Sequence, residues 1–333
     1  KTSSFLKCYQ EMINAGIKPL IVKGLICRLL YKNPDLRKSS DEDLLISKAD
    51  FAKCDKFLLE YGFSRDDIDL ANPPYEVSYF NRATGNLLEI HTALMPEDDG
   101  KFQKMNSFFA NAFENAVAVN AEGTTVYTLK EEQHLLYLLC HAFKHFVSSG
   151  FGVRQLCDIL QMAEKDGAKI DWTSFLKQVR ALEMYTFFMN LLDIGEKYLG
   201  FDWEKSGCPR PSRMKMDNED LIKDILDGGV YGSSSVGRLH SANITLTAFK
   251  NGQEEEQGVS LKTSLFPPYE YMKARYPYVK KAAVLLPVAW VHRMVNYAVQ
   301  TVSLKINGEK DVNSIAIGKE RLKLLRKYGK GKS

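Results

Sequence analysis

The stretch Arg37-Lys38-Ser39-Ser40-Asp41-Glu42-Asp43-Leu44-Leu45-Ile46 decides how this chain is read. Its second half, Glu42 to Ile46, has the apolar run of a short strand. On a strand, residues i and i+2 share a face, so Asp41 and Asp43 point the same way. Two carboxylates held that closely repel each other and are stable together chiefly when a cation sits between them. Hard oxygen ligands of this kind suit Mg²⁺ or Mn²⁺, with substrate phosphates completing the shell. A bare D-x-D is more often a charged loop leading into an ordinary strand, so the flanking sequence has to decide.

Upstream, Lys18 to Val22 reads as a strand that runs into Lys23-Gly24 and then into helical spacing from Gly24 to Tyr31. A glycine at such a junction lets backbone amides approach a phosphate. Downstream, Leu87-Leu88-Glu89-Ile90-His91-Thr92 reads as a strand with Glu89 and His91 on one face and Leu88 and Ile90 toward the core. A third carboxylate on a neighbouring strand would complete a two-metal site for in-line phosphoryl-type transfer. Ser4 to Ala15 has helical spacing, and so has Ala49 to Tyr61, with Phe51, Leu58 and Leu59 on its apolar side. Glu76 to Phe80 reads as a further strand, joined to the next by a turn at Thr84-Gly85-Asn86. The fold class expected is α+β: a small mixed-sheet domain over 1–120, followed by a largely helical region.

That helical region is expected over 121–206. Thr128 with Glu131 and Glu132 suggests a capped helix start, and helices are expected near 130–147, 153–166, 172–182 and 184–199. Residues 207–262 read as an irregular connection, with a Gly/Ser cluster at 228–237, a strand-like stretch from Asn243 to Phe249 and an acidic run at Glu254 to Glu256. A C-terminal helical segment with a basic tail is expected over 263–333.

The 333 residues are 45% hydrophobic and 26% charged, which excludes a disordered or collagen-like chain. No run reaches the roughly 18 apolar residues of a membrane helix. No secretory signal is visible, and a cytoplasmic location is expected. The net charge is +4, but Lys319 to Ser333 alone carries +6, leaving a body of about −2. A near-neutral body with a basic tail is not a nucleic-acid-binding surface. The six cysteines form no C-x-x-C and read as reduced thiols, not as a disulfide framework or zinc site.

The set K-G…Y…R…S-x-D-x-D-L-L…L-E-I-H resembles nucleotidyltransferases of the DNA-polymerase-β superfamily. Within it, the chain is similar to an uncharacterised bacterial branch with Lys-Gly where most relatives have Gly-Gly or Gly-Ser. His141-Ala-Phe-Lys-His145, Arg154-x-x-x-Asp158, Leu265-Phe-Pro-Pro and Arg275-Tyr-Pro extend the likeness over most of the chain. The resemblance implies that Gly24 and Lys23 hold the nucleotide's phosphates and that Asp41 and Asp43 bind two Mg²⁺ (or Mn²⁺) ions. It implies that Glu89 binds one of them and helps deprotonate an acceptor hydroxyl, and that Arg37 with Ser39 or Ser40 contacts the triphosphate. Glu42 departs from the pattern, standing where an apolar residue is usual; it should point away from Asp41 and Asp43.

The activity implied is transfer of a nucleoside monophosphate from a nucleoside triphosphate, such as ATP, to an acceptor hydroxyl, with a small molecule as the acceptor. The alternatives are a protein- or RNA-modifying enzyme of toxin–antitoxin type and a non-catalytic nucleotide-binding module. Further candidate contacts are His91, His141, Lys144, His145, Arg154 and Asp158, in a helical part expected to close over the site. Removing Asp41 or Asp43 is expected to abolish turnover and leave the fold nearly intact. His134, His141 and His145 lie along one helix face, but the residues between them are not those of a zinc hydrolase.

Overall fold

A computed structural model of the chain describes residues 1–97, 100–148, 150–212, 216–230, 232, 238, 245, 266–267, 269–306 and 314–329. The chain divides into two compact units. One comprises Lys1–Ala142 with Arg154–Asn218, the other Phe143–Val153 with Glu219–Lys332.

The first unit begins with α1 (Thr2–Asn14), β1 (Leu20–Ile21), α2 (Leu25–Arg28), β2 (Glu42–Leu45) and α3 (Phe51–Glu60). It continues with β3 (Glu76–Asn81), β4 (Asn86–His91), α4 (Gly100–Asn106), β5 (Val117–Ala121) and β6 (Thr124–Thr128). A four-stranded mixed sheet has the order β1-β2-β4-β3. β2 runs parallel to β4, while β1–β2 and β3–β4 are antiparallel. A parallel pair needs a long crossover, which α3 and β3 supply between β2 and β4.

Alternation assigns the two faces of the sheet. Leu44, Leu88, Ile90, Val77 and Tyr79 enter a core shared with Phe5, Tyr9 and Met12 of α1 and with Phe51 and Leu58 of α3. Leu59, expected beside Leu58 on the apolar side, is 41% exposed. The buried stripe of α3 runs through Phe51, Cys54, Asp55 and Leu58, and Leu59 lies at its margin.

The β5–β6 hairpin has no counterpart in the sequence reading, and position 120 falls within it. Ala121 and Val126 are part of the sheet domain's core. Its turn residues Glu122 and Gly123 both have positive φ, at 49° and 83°, as a tight hairpin turn of primed type requires. Thr128, expected as a helix cap, instead ends β6 and donates its hydroxyl to the Ile21 carbonyl at 2.6 Å.

Helices α5 (Glu131–Val147), α6 (Val153–Asp166), α7 (Trp172–Ala181) and α8 (Tyr185–Tyr198) follow, close to the expected ranges. α5 begins in the first unit and ends in the second. A short α9 (Trp203–Ser206) comes after α8. The second unit contains α10 (Glu219–Asp227) and helices at Tyr269–Arg275, Pro277–Lys281, Leu286–Ile306 and Ser314–Tyr328. Within it, Arg238 and Arg321 approach Asp224 at 3.0 and 3.4 Å, and Arg321 also donates to the Phe146 and Ser148 carbonyls. The strand-like stretch from Asn243 to Phe249 and the acidic run at Glu254 to Glu256 lie outside the described residues, Thr245 excepted. So do most of the Gly/Ser cluster and the last four residues of the basic tail.

Among the described residues, no helix is long and apolar enough to cross a membrane. All six cysteines are free thiols.

Candidate active site

Strand register builds the site. Asp43 of β2 lies directly opposite Glu89 of β4, and His91 lies opposite Glu76 of β3. Residues 89 and 91 share a face, as their spacing predicts. Asp43, Glu89 and His91 therefore converge: each offers one ligand atom, and these atoms all lie within 4.8 Å of one another. His91 Nε2 is 3.3 Å from Asp43 Oδ1 and 4.0 Å from Glu89 Oε2, and Nδ1 faces Glu76 Oε2 at 3.8 Å.

Lys23 follows β1 and reaches Asp43 Oδ1 at 2.8 Å, with side chains 9% and 1% exposed. This is a buried ion pair, so the ammonium meets Asp43 instead of standing open for a phosphate as the resemblance implied. Burial alone would lower the Lys23 pKa, but Asp43, Asp41 and Glu89 together hold it above its ordinary value. Burial would raise Asp43, yet Lys23 and His91 hold it well below the usual carboxylate range. Glu89 moves the other way. Burial first, then the charges of Asp43 and Glu76, push it up to about 8. Like charges held this close push the two carboxyls in opposite directions, Asp43 down beside Lys23 and Glu89 up.

Two kinds of buried polar atom in this cluster have no hydrogen-bond partner: Asp43 Oδ2 and both ring nitrogens of His91. Natural interiors satisfy nearly all such atoms with protein groups, ordered water or an ion. An oxygen, an imidazole nitrogen and a second carboxylate are a donor set that fits a divalent cation.

Asp41 precedes β2 and lies outside this three-residue group. Ser40 Oγ donates to its Oδ1 at 3.0 Å and Ser39 Oγ to its main-chain oxygen at 2.8 Å. Its charge still acts on Lys23 and Glu89. Ser39 and Ser40 thus fix the approach to β2.

Glu42, on the opposite face of β2, accepts from the Leu25 amide and pairs with Arg28 at 2.7 Å. Burial pushes its carboxyl up to about 7, against the pull of Arg28. Gly24 has φ +66°, and a Cβ there would meet Glu42 Oε2 at 2.0 Å and the Asp41 carbonyl at 2.8 Å. The amide after Gly24, expected to receive a phosphate, is therefore already occupied by a carboxylate of the chain. The departure at Glu42 that the pattern flagged is what fills that turn.

Arg37 is likewise committed. Its Nε and Nη2 bind both oxygens of Asp158 at 2.7 Å, and Nη1 donates to the Gly24 carbonyl at 3.2 Å. Tyr31 donates its hydroxyl to the same Asp158 at 2.7 Å. The expected triphosphate contact for Arg37 is replaced by a closed bidentate pair, 2% and 4% exposed. The Tyr and Arg of the K-G…Y…R pattern are thereby explained: both tie the loop before β2 to α6. Arg154 reaches the Lys38 carbonyl at 3.0 Å.

His134 bonds the Val22 carbonyl at 2.9 Å, and burial lowers its pKa, so it is a neutral structural residue. His141 is buried, with its ring 5.8 Å from that of Tyr137. Lys144 and His145 belong to the second unit. Sequence reasoning missed Glu76 and Tyr137. The Tyr137 hydroxyl is buried without a partner, and burial, then the charge of Asp43, raises its pKa well above the ordinary value. Its helical spacing read only as core; the four-residue step to His141 was the one available signal.

No curated protein matches the chain. Among solved structures it is similar to an antigenic nucleotidyltransferase-like protein from Paracoccidioides brasiliensis, at 16% identity and a TM-score of 0.33, covering 48% of this chain and 74% of that one. The model of a family described as uncharacterised nucleotidyltransferase matches residues 4–200, more than half of the sequence, and the chain belongs to that family.

Proposed function

We propose that the chain transfers a nucleoside monophosphate from a nucleoside triphosphate to an acceptor hydroxyl, with a divalent cation held by Asp43 and Glu89 and with Asp41 at its edge. The observation that carries this reading is the pairing of Asp43 with Glu89 across parallel strands, with Asp43 Oδ2 buried and unpartnered. A bound cation would supply charge neutralisation at the phosphates and acidify the acceptor hydroxyl. Lys23 keeps Asp43 ionised through Oδ1 and leaves Oδ2 available. Without a cation, burial and the neighbouring carboxylates hold Glu89 up to about 8, and a bound dication would draw off that proton and leave a carboxylate ligand. The closed Arg37–Asp158 pair holds the Gly24 carbonyl and the approach to β2 in register, so these residues position the ligands and do not touch substrate.

A small-molecule acceptor remains the preferred reading, because the near-neutral charge outside the tail disfavours an open basic groove for RNA. Protein or RNA modification of toxin–antitoxin type and simple nucleotide binding are the competing readings. The test is calorimetric titration of ATP, GTP, CTP and UTP, each with and without Mg²⁺ or Mn²⁺, into wild type and Asp43→Asn. Metal-dependent binding of one nucleotide, lost in the variant, would support the enzyme and name its donor. Binding that ignores both metal and Asp43 would favour the binding module.

A further inference from the structure

We infer that His91 is itself a metal ligand, so that this chain's cation site is a mixed nitrogen–oxygen centre of Asp43, Glu89 and His91, built for a first-row divalent transition metal and not for Mg²⁺. The inference deepens the proposed function and rests on its cation site.

Four observations carry it. His91 is 2% exposed, and neither ring nitrogen has a hydrogen bond of good geometry, Nε2 standing 3.3 Å from Asp43 Oδ1, an unsettled state for a buried imidazole. Its Nε2 lies toward the same point as Asp43 and Glu89. Asp43 contributes a second orphan, Oδ2, because Lys23 already takes Oδ1. On the far side of the ring, Nδ1 faces the Glu76 carboxylate. A histidine that ligates through Nε2 carries its proton on Nδ1, and a carboxylate facing that nitrogen stabilises this tautomer. β3 pairs with β4 so that Glu76 sits across from His91, which provides that support from the sheet register alone.

The imidazole donor favours a transition metal over Mg²⁺ without selecting among them. Mg²⁺ demands near-octahedral oxygen donors and keeps its waters. Imidazole suits transition metals, and Mn²⁺, which shares the carboxylate preference of Mg²⁺, is the probe that isolates the nitrogen's contribution. The charges agree. Asp41, Asp43 and Glu89 act on the one Lys23 and Glu76 acts on Glu89, so the carboxyl groups of the cluster outnumber its cation. Asp41, outside the three-residue group, remains for a second cation or for waters of the first.

The test uses the full chain, freed of metal by chelation, and Mn²⁺ alone as the probe. Electron spin-echo spectroscopy of bound Mn²⁺ reads directly whether an imidazole nitrogen is coordinated. The expected result is ¹⁴N modulation in wild type that disappears in His91→Asn. In calorimetry, Mn²⁺ affinity should fall at least about tenfold in that variant while Mg²⁺ affinity changes less than about threefold. Mn²⁺ binding that requires Asp43 but shows no ¹⁴N modulation would overturn the role of His91 and leave the proposed function standing. No Mn²⁺ binding to the folded chain would overturn the cation site and the proposed function with it. Should His91→Asn not fold, the wild-type spectrum decides the question alone.

Discussion

Of the aspartates that the first unit buries beside basic side chains, Asp158 and Asp43 behave as opposites. Asp158 is closed: Arg37 grips both its oxygens, Tyr31 adds a third bond, and one positive charge matches one negative. Asp43 is open: Lys23 takes one oxygen, the other has no partner, and Asp41, Glu76 and Glu89 add negative charge around it. Burial is almost the same, 4% and 1% exposed. A buried carboxylate is thus no mark of function by itself. Unmatched charge and unused lone pairs separate a site from a staple.

Mutation should break this contrast in different currencies of measurement. Asp43→Asn should reduce turnover by roughly 10⁴-fold, about 5.5 kcal/mol in barrier terms. Its melting temperature should fall only modestly, because Asp41 remains beside Lys23 and Glu89 ionises more readily once the Asp43 charge is gone. The sequence-based expectation of a nearly unaffected fold did not include that buried ion pair. Turnover above a tenth of wild type would show that Asp43 is a staple after all.

Arg37→Ala should invert the pattern. Removing one partner of a buried pair costs about 3–5 kcal/mol, because Asp158 is left buried and uncompensated. Chemical denaturation would read that loss, while the folded fraction should keep its Mn²⁺ affinity within about threefold. A large drop in metal affinity with little loss of stability would assign Arg37 to the site.

The pH response sharpens the comparison further. The Glu89 carboxyl, held up to about 8 against an ordinary 4.5, keeps a proton in the folded metal-free chain that the unfolded chain has released. Stability of the metal-free protein should therefore fall as pH rises from about 5 to about 8. Melting curves of Glu89→Gln, which cannot ionise, should keep only the shallower slope that Glu42, held up to about 7, contributes; a slope equal to that of wild type would place the proton elsewhere. Mn²⁺ binding should tighten over the same range, as the cation displaces the proton. The smallest effect belongs to Tyr31→Phe, which removes one hydrogen bond to a carboxylate. It should cost about 1.5 kcal/mol in denaturant titration with no change in metal affinity. A change in metal affinity would show that the closed pair and the open cluster are coupled.

Much of this architecture is written in local sequence. The strand character of Glu42 to Ile46, the i, i+2 step from Glu89 to His91 and the four helices from α5 to α8 all follow from periodicity within one element. The β5–β6 hairpin, around Glu122-Gly123, was not read from the sequence, although branched residues flank its turn. Charged residues misled where their partners lay far off. Arg37 looked available because Asp158 is 121 residues away. Gly24 looked like a phosphate turn because nothing in sequence shows that Glu42, on the far face of its strand, reaches the next amide.

By itself, then, the sequence determined which residues carry charge, which face of each strand they occupy and which family the motifs resemble. These depend on covalent order and on the two- and 3.6-residue periods of the backbone. Only the tertiary structure decided which charges meet. The parallel register of β2 and β4 sets Asp43 against Glu89 and brings in His91, while α6 takes Arg37 away. Strand register and helix docking are set by the packing of a shared core over long sequence separations. Whether a carboxylate is satisfied or left waiting for a cation is therefore a property of the fold and not of any segment.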